Sequence, residues 1–497
     1  MNIELQRRTL LKLITGGAAS CAFPLPSVSF AATALTKEPV TGDAWAFAAT
    51  IRESIVEPVF PARDFLLEDF DGAGDGDTDN TEAFRRAIAA CAKAGGGRVV
   101  VRDGVFRTGP IHLKSNVNLH LEKDATVSFI PEPSRYLPPV FTRWEGMEFM
   151  GYSPLIYAFG EQNIAITGEG TLDGNADPQH WWPWKGPWKH HREWGTDGAP
   201  TQKVARAKLF AEAEKGVPPE KRIYAEGAYL RPPFIQPYRC RNVLIEGVTI
   251  TRSPFWLINP VLCENVTVRK ATCRSKGPNS DGCNPESCKN VLIEGCHFDT
   301  GDDCIAIKSG RNADGRRLNV PSENIVIADC KMRAGHGGVV IGSEISGGAR
   351  NIFVENCEMS SPDLDRGIRI KTNSHRGGTI ENYYIRNIKI GTVKDAIVIN
   401  FYYEEGDTGK FDPVLRNIHI SDLVCASAER AFYIRAFERA PIRGLTLKNI
   451  RFDKVEQPGV IENVRNLRVD NVTIEGKAFK EHRVERKAAL LFPESAA

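Results

Sequence analysis

From Asn116 onward, short runs of alternating apolar and polar residues recur along the chain, most of them opened by an asparagine. Clear copies are Asn242-Val-Leu-Ile-Glu-Gly-Val-Thr-Ile, Asn265-Val-Thr-Val-Arg-Lys-Ala-Thr-Cys and Asn290-Val-Leu-Ile-Glu-Gly-Cys-His-Phe. Others start at Asn324, Asn351, Asn382, Asn417, Gly444 and Asn466, with earlier relatives at Asn116 and Asn163. From Asn242 on, successive starts lie 22 to 35 residues apart. Alternation over so few positions has the period of a strand, not of a helix. A propeller blade takes four strands and roughly 40 residues, more than these intervals hold. The pattern therefore predicts a parallel β-helix, an all-β solenoid whose coils stack about 4.8 Å apart and align equivalent positions in columns. Cys296, Cys330 and Cys357 each lie six residues after their asparagine. They are expected in one buried column, packing as small hydrophobes.

Three stretches break the repeat. Residues 36–62 carry a mixed apolar pattern around Trp45 that ends at Pro58 and Pro61, which predicts a short helix capping the N-terminal end of the solenoid. Residues 80–95 place apolar residues at helical spacing, with Asn80 or Thr81 as N-cap and Gly95 as the stop. Residues 173–235 form one large insertion, holding Trp181, Trp182, Trp184, Trp188 and Trp194 among His180, His190, His191 and basic residues.

The N-terminus changes the picture of where the chain works. It runs Gln6-Arg7-Arg8-Thr9-Leu10-Leu11-Lys12, then a mildly apolar stretch to Ala22, then Ala31-Ala32-Thr33-Ala34. Charge, apolar stretch and small residues in that order describe an export signal, and the paired arginines resemble the twin-arginine type. Residues 1–34 are thus expected to be a signal peptide. Residues 35–497 are expected to be a single β-helix catalytic domain, exported to the periplasm, with an extracellular site as the other destination. Twelve cysteines would suggest disulfides in such a protein. Cys21 lies in the signal, however, and a twin-arginine signal implies export of an already folded chain, so free thiols are expected. A net charge of +2 and no Lys/Arg block leave no nucleic-acid footprint. No run of about 18 apolar residues predicts a membrane span in the mature chain. Oligomeric state is not readable.

Four motifs on four successive coils carry candidate chemistry: Asn279-Ser280-Asp281-Gly282, Gly301-Asp302-Asp303-Cys304, Gly335-His336-Gly337-Gly338 and Arg369-Ile370-Lys371. Each opens or occupies the second apolar strand of its coil, so stacking brings all four to one face. Three clustered carboxyls cannot all ionise equally, so one should hold a proton and act as an acid. Glycoside hydrolysis needs an acid for the leaving oxygen and a second carboxyl as base or nucleophile. Arg369, Lys371 and His336 offer positive charge to an acidic sugar.

The order of these four motifs resembles glycoside hydrolase family 28, the polygalacturonases, over about residues 66–475. Asp69-Phe-Asp-Gly-Ala-Gly-Asp-Gly-Asp-Thr-Asp-Asn and Ile399-Asn-Phe-Tyr-Tyr-Glu-Glu-Gly add to the likeness. Serine stands at 280 where the family more often has threonine. The resemblance implies a right-handed, pectin-lyase-like β-helix and an inverting, metal-independent hydrolase without cofactor. Its substrate would be α-1,4-linked galacturonan of pectic polysaccharide or oligogalacturonides. It implies Asp302 as general acid, Asp281 and Asp303 as holders of the attacking water, and Asn279, His336, Arg369, Lys371 and Tyr403 as sugar contacts. Exo action is expected, because the insertion enters before the catalytic coils and would wall one end of the groove. Its tryptophans could stack on sugars, with Lys185, Lys189, His190, His191 and Arg192 supplying charge. Alternative readings are a rhamnogalacturonan or xylogalacturonan hydrolase of the same family, a calcium-dependent pectate lyase, and a non-catalytic carbohydrate-binding spike.

Overall fold

The computed structural model describes residues 43–187, 192–361 and 363–479. The expected signal peptide at 1–34, Cys21, Trp188, Lys189, His190 and His191 lie outside them. Parallel strand pairing runs through the described chain and forms a right-handed β-helix. One inward column reads Val99, Leu119, Ile166, Ile245, Val268, Ile293, Ile327, Val354, Ile385, Ile420, Leu447 and Val469, each residue opposite the next. These side chains belong to a single core that extends from Leu67 to Val472.

The opening asparagines have a physical reason. From Asn116 to Asn417 all nine adopt left-handed backbone, with φ between 53° and 64°, a region asparagine tolerates better than other side chains. After Asn116, each of the other eight donates its amide to the carboxamide oxygen of the asparagine one coil earlier, at 2.6 to 3.3 Å. An amide carries both donor and acceptor, so the column propagates itself. Gly444 continues the left-handed backbone, with φ 76°, and has no amide to add.

Cysteines form two columns. Cys296, Cys330 and Cys357 stack as expected, and Cys240, Cys263 and Cys288 make a second one. All eleven described cysteines are free and buried.

Both helices near the start form, but the one expected to cap the solenoid lies elsewhere. Helix α1, Ala44–Ser54, lies on the flank of the middle coils, against Leu292, Val326, Phe353 and Tyr384. Those residues point outward between core positions and leave an apolar stripe that α1 covers, with Arg52 tied to Glu294 and Glu355. The helical cap is α2, Thr81–Lys93, which turns Phe84, Ala87, Ile88 and Cys91 into the core beside the first strands.

The insertion is larger in effect than its sequence bounds. Strands Val140–Trp144 and Met147–Gly151 form an antiparallel hairpin, which Ile223–Tyr224 joins in parallel. Trp144, Met147 and Phe149 of the hairpin pack with Leu209 and Ala213 of α3, Lys203–Glu214, and with Phe255 and Trp256 of the solenoid. The insertion's tryptophans mostly hold this cover in place. Trp181 is buried among Tyr136, Tyr152 and Trp184. Trp182 donates to the Ser253 carbonyl at 3.0 Å. Trp194 is also buried.

Candidate active site

A second inward column runs Ile235, Ile258, Cys283, Ile305, Val339, Ile368, Ile397, Phe432. The candidate residues sit at fixed distances from it. Asp281 and Asp303 each precede their column residue by two positions, and Asp302 and His336 precede theirs by three. Like positions on adjacent coils stack, so the three carboxyls meet: one oxygen from each lies within 4.8 Å of the others. Gly337 is the third member of the Asp281 and Asp303 column. A Cβ there would come within 3.2 Å of Asp303 Oδ1 and 3.4 Å of the Arg369 side chain, which explains a glycine beside the histidine.

Every carboxyl has its own partners. Asp303 is fully buried and accepts from Lys371 Nζ at 2.6 Å and Arg369 Nη1 at 3.4 Å. His336 Nδ1 lies 3.0 Å from Asp302 Oδ1, and Asn279 Nδ2 reaches Asp302 Oδ2 at 3.5 Å. Asn284 Nδ2 donates to Asp281 Oδ2 at 3.0 Å, and Lys308 Nζ stands 3.7 Å from the same oxygen. Tyr403 closes one side, its ring beside Arg369 and Lys371. Ser280 is buried and bonds Ser275, so serine at this position serves the backbone turn. Protein cations already balance the trio, which leaves little for a metal ion to do there.

Burial and the neighbouring Asp302 charge push the Asp281 carboxyl well above the usual range, against the pull of Lys308. Burial acts on Asp302 too, but His336, Lys371 and Lys308 outweigh it and hold this carboxyl well below its ordinary value. Of these two carboxyls Asp281 carries the raised pKa, whereas the sequence reading expected the raised group to be the acid, Asp302. The two groups are so close that a proton there belongs to the pair.

Arg369 and Lys371, expected as sugar contacts, are both buried and both reach Asp303, and Lys371 also lines the pocket. The reason is register: their strand lies two coils beyond the one that bears Asp303, and Gly337 and Gly342 on the coil between leave the two side chains room to reach it.

Asp281 and Asp302 line a pocket that also reaches Glu145, Arg206, Trp256, Lys308, Glu344, Lys371 and Tyr403, while Asp303 lies sealed behind it. Glu145 comes from the hairpin turn and Arg206 from α3. A line of alternating charges crosses this wall. Arg206 holds Glu145 at 2.7 Å, Glu145 meets Arg311 at 3.6 Å, and Arg311 meets Glu344 at 3.4 Å. Glu344 then holds Lys308 at 2.9 Å, next to Asp281. Arg231, fully buried, donates to Asn279 Oδ1 at 2.7 Å and fixes that amide. None of these was singled out from sequence. Lys308 alone had a signal, as a charge closing the otherwise apolar strand Cys304-Ile-Ala-Ile.

A solenoid with a clustered carboxyl trio and cationic neighbours at an open polar pocket has the parts of a glycoside hydrolase. The family model for glycosyl hydrolases family 28 matches residues 224–469. A crystal structure of an exopolygalacturonase from Thermotoga maritima is 45% identical, with a TM-score of 0.84, and the match covers 88% of this chain and 97% of that one. A probable polygalacturonase of Vitis vinifera is 29% identical over 399 residues, covering 77% of this chain and 73% of the relative. An exo-poly-α-D-galacturonosidase of Dickeya chrysanthemi is 26% identical over 358 residues, covering 69% and 57%. The chain belongs to glycosyl hydrolases family 28, the polygalacturonase family, whose substrates are pectic polysaccharides.

Proposed function

We propose that this chain is an exo-acting, inverting polygalacturonase that trims one or two galacturonate residues from a chain end. The observation that carries this reading is the walled site. The pocket runs from Asp281 and Asp302 to Glu145 and Arg206, both on the cover built by the hairpin and the insertion. An endo-acting enzyme needs a groove open at both ends. Two of the relatives described above are named as exo-acting. Viscometry on polygalacturonate with parallel reducing-end counting tests the proposal. Exo action releases reducing ends while viscosity barely falls; early viscosity collapse with a ladder of oligomers would refute it.

In this reading the proton that Asp281 and Asp302 share passes to the leaving oxygen from Asp302, and Asp281, ionised once Asp302 carries that proton, orients and deprotonates water with Asp303. Asn279, His336 and Tyr403 meet the sugar. Lys371, which lines the cavity, serves both Asp303 and the substrate, while Arg369 acts through Asp303 and the Tyr403 ring. Inverting enzymes ordinarily separate their two carboxyls by roughly 6.5–9.5 Å, wider than the 4.8 Å limit between oxygens here. Inversion therefore rests on family membership and on dividing the base between two aspartates. Proton NMR during early turnover should find the β-anomer first; an α-anomer would mean retention.

The same proposal places the mature chain, residues 35–497, in the periplasm after removal of a twin-arginine signal. Replacing Arg7 and Arg8 by lysine should leave the protein in the cytoplasm.

A further inference from the structure

Lys308 is an ammonium taken almost wholly out of water, at 3% exposure. Its nitrogen lies 2.9 Å from Glu344 Oε2, 3.4 Å from the Gly342 carbonyl and 3.7 Å from Asp281 Oδ2. It also rests over the Trp256 ring at 4.6 Å. Its strand position is shared by Gly342 on the next coil and Lys371 on the one after. The glycine leaves the space in which the two lysines approach the trio from separate coils. Lys371 takes Asp303, and Lys308 takes Asp281. Glu344 is fixed in turn by Arg311 Nη1 at 3.4 Å and by the Ser343 hydroxyl at 3.2 Å.

A buried ion pair is weak evidence for stability, because desolvation consumes most of its attraction. This one is aimed at a carboxyl of the reaction. We propose that Lys308 is a positioning residue for Asp281, and that Glu344 locks it there and moderates the charge it presents. The proposal rests on the reading of Asp281 as a water-activating carboxylate. The charged groups facing Asp281 are Asp302, Asp303, Lys308 and Lys371, with the Asn284 amide on the same oxygen as Lys308. Within that set Lys308 and Glu344 act with opposite sign. The lysine favours the ionised form of Asp281. The glutamate, by neutralising the lysine, opposes it.

The test is the pH profile of kcat/KM on tetragalacturonate for Lys308→Met, Lys308→Arg, Glu344→Gln and Asp281→Asn. The acidic limb reports the base that must be ionised. Lys308→Met should move that limb up by about one pH unit, within the range that one opposite charge imposes on an aspartate, with kcat falling and KM little changed. Glu344→Gln should move it down, and Lys308→Arg should return it towards the parent. Opposite shifts from neighbouring residues are not what a purely structural pair gives. Limbs that stay put in both variants, or move the same way, overturn the proposal. If Lys308→Met does not fold, Glu344→Gln and Lys308→Arg decide it on the same terms. An active Asp281→Asn enzyme would instead overturn the underlying assignment of Asp281, and the proposal with it.

Discussion

Lys371 and Asp303 form a buried ion pair, Nζ to Oδ2 at 2.6 Å, with the carboxylate wholly sealed from solvent. Removing one partner from such a pair strands a charge and costs about 3–5 kcal/mol. Lys371→Ala should therefore lower Tm as well as kcat. The fold-loss in rate should be larger on galacturonan than on polymer whose carboxylates have been reduced, but should persist in part on the latter. A loss confined to the charged polymer would return Lys371 to a role in uronate recognition alone.

Asp302→Asn should lower kcat by about 10²–10⁴-fold, the usual worth of general acid catalysis. The amide is isosteric and its oxygen can still accept from the Asp303 backbone N–H, at the loss of the long contact with Asn279, so circular dichroism and oligogalacturonide binding should be largely preserved. A variant retaining a tenth of parent activity would remove Asp302 from the acid role.

Acid should unfold this protein through the charged wall. Burial resists ionisation of Glu405, but Arg376 and Arg311 outweigh it and draw the carboxyl down to about 2. Glu344 is held low in the same way by Lys308 and Arg311 against its burial. A carboxyl with a depressed folded-state pKa stabilises the fold above its unfolded value, near 4.3, and that stability is lost as pH falls. Tm should thus drop between about pH 5 and pH 2, and Glu405→Gln should flatten the drop. An unchanged Tm profile in the variant would show that Glu405 does not contribute.

The asparagine column gives a stability test that separates backbone from side chain. Asn324 donates to Asn290 at 3.1 Å and accepts from Asn351 at 3.0 Å, with φ 57°. Asn324→Gly loses two bonds, worth about 1 kcal/mol each. Asn324→Ala loses the same bonds and adds about 1–2 kcal/mol for left-handed backbone. Urea melts should rank parent, glycine, alanine in falling stability; equal values for the two variants would mean the backbone adds nothing.

Thiol titration of the denatured mature protein without reductant should count nearly all eleven described cysteines as free, since all are buried. Several disulfides would contradict the two columns.

Much of the fold was legible because the solenoid repeats one local requirement. Left-handed backbone asks for asparagine or glycine at each coil start, and alternation marks which neighbours point inward. The second cysteine column was equally legible, since Cys240, Cys263 and Cys288 each precede their asparagine by two residues. The trio was found, although its offsets from the asparagines looked irregular. Turns of variable length separate the two faces, and counting from Cys283 and Ile305 restores identical offsets. The placement of α1 was not legible, because a cap and a flank both ask for one apolar face. The hairpin around Glu145 carries no opening asparagine. Its partners Arg206 and Arg311 are distant in sequence, and surface arginines elsewhere look the same.

The line from Arg206 through Glu145, Arg311, Glu344 and Lys308 ends at Asp281. Reach along the polymer and speed of bond cleavage are therefore not independent traits in this scaffold. A designer who trims α3 to admit longer chains also removes the counter-ion of Glu145 and disturbs the field at Asp281. Loop grafting between exo- and endo-acting enzymes should be done with the whole charge line as the unit of exchange, not the loop.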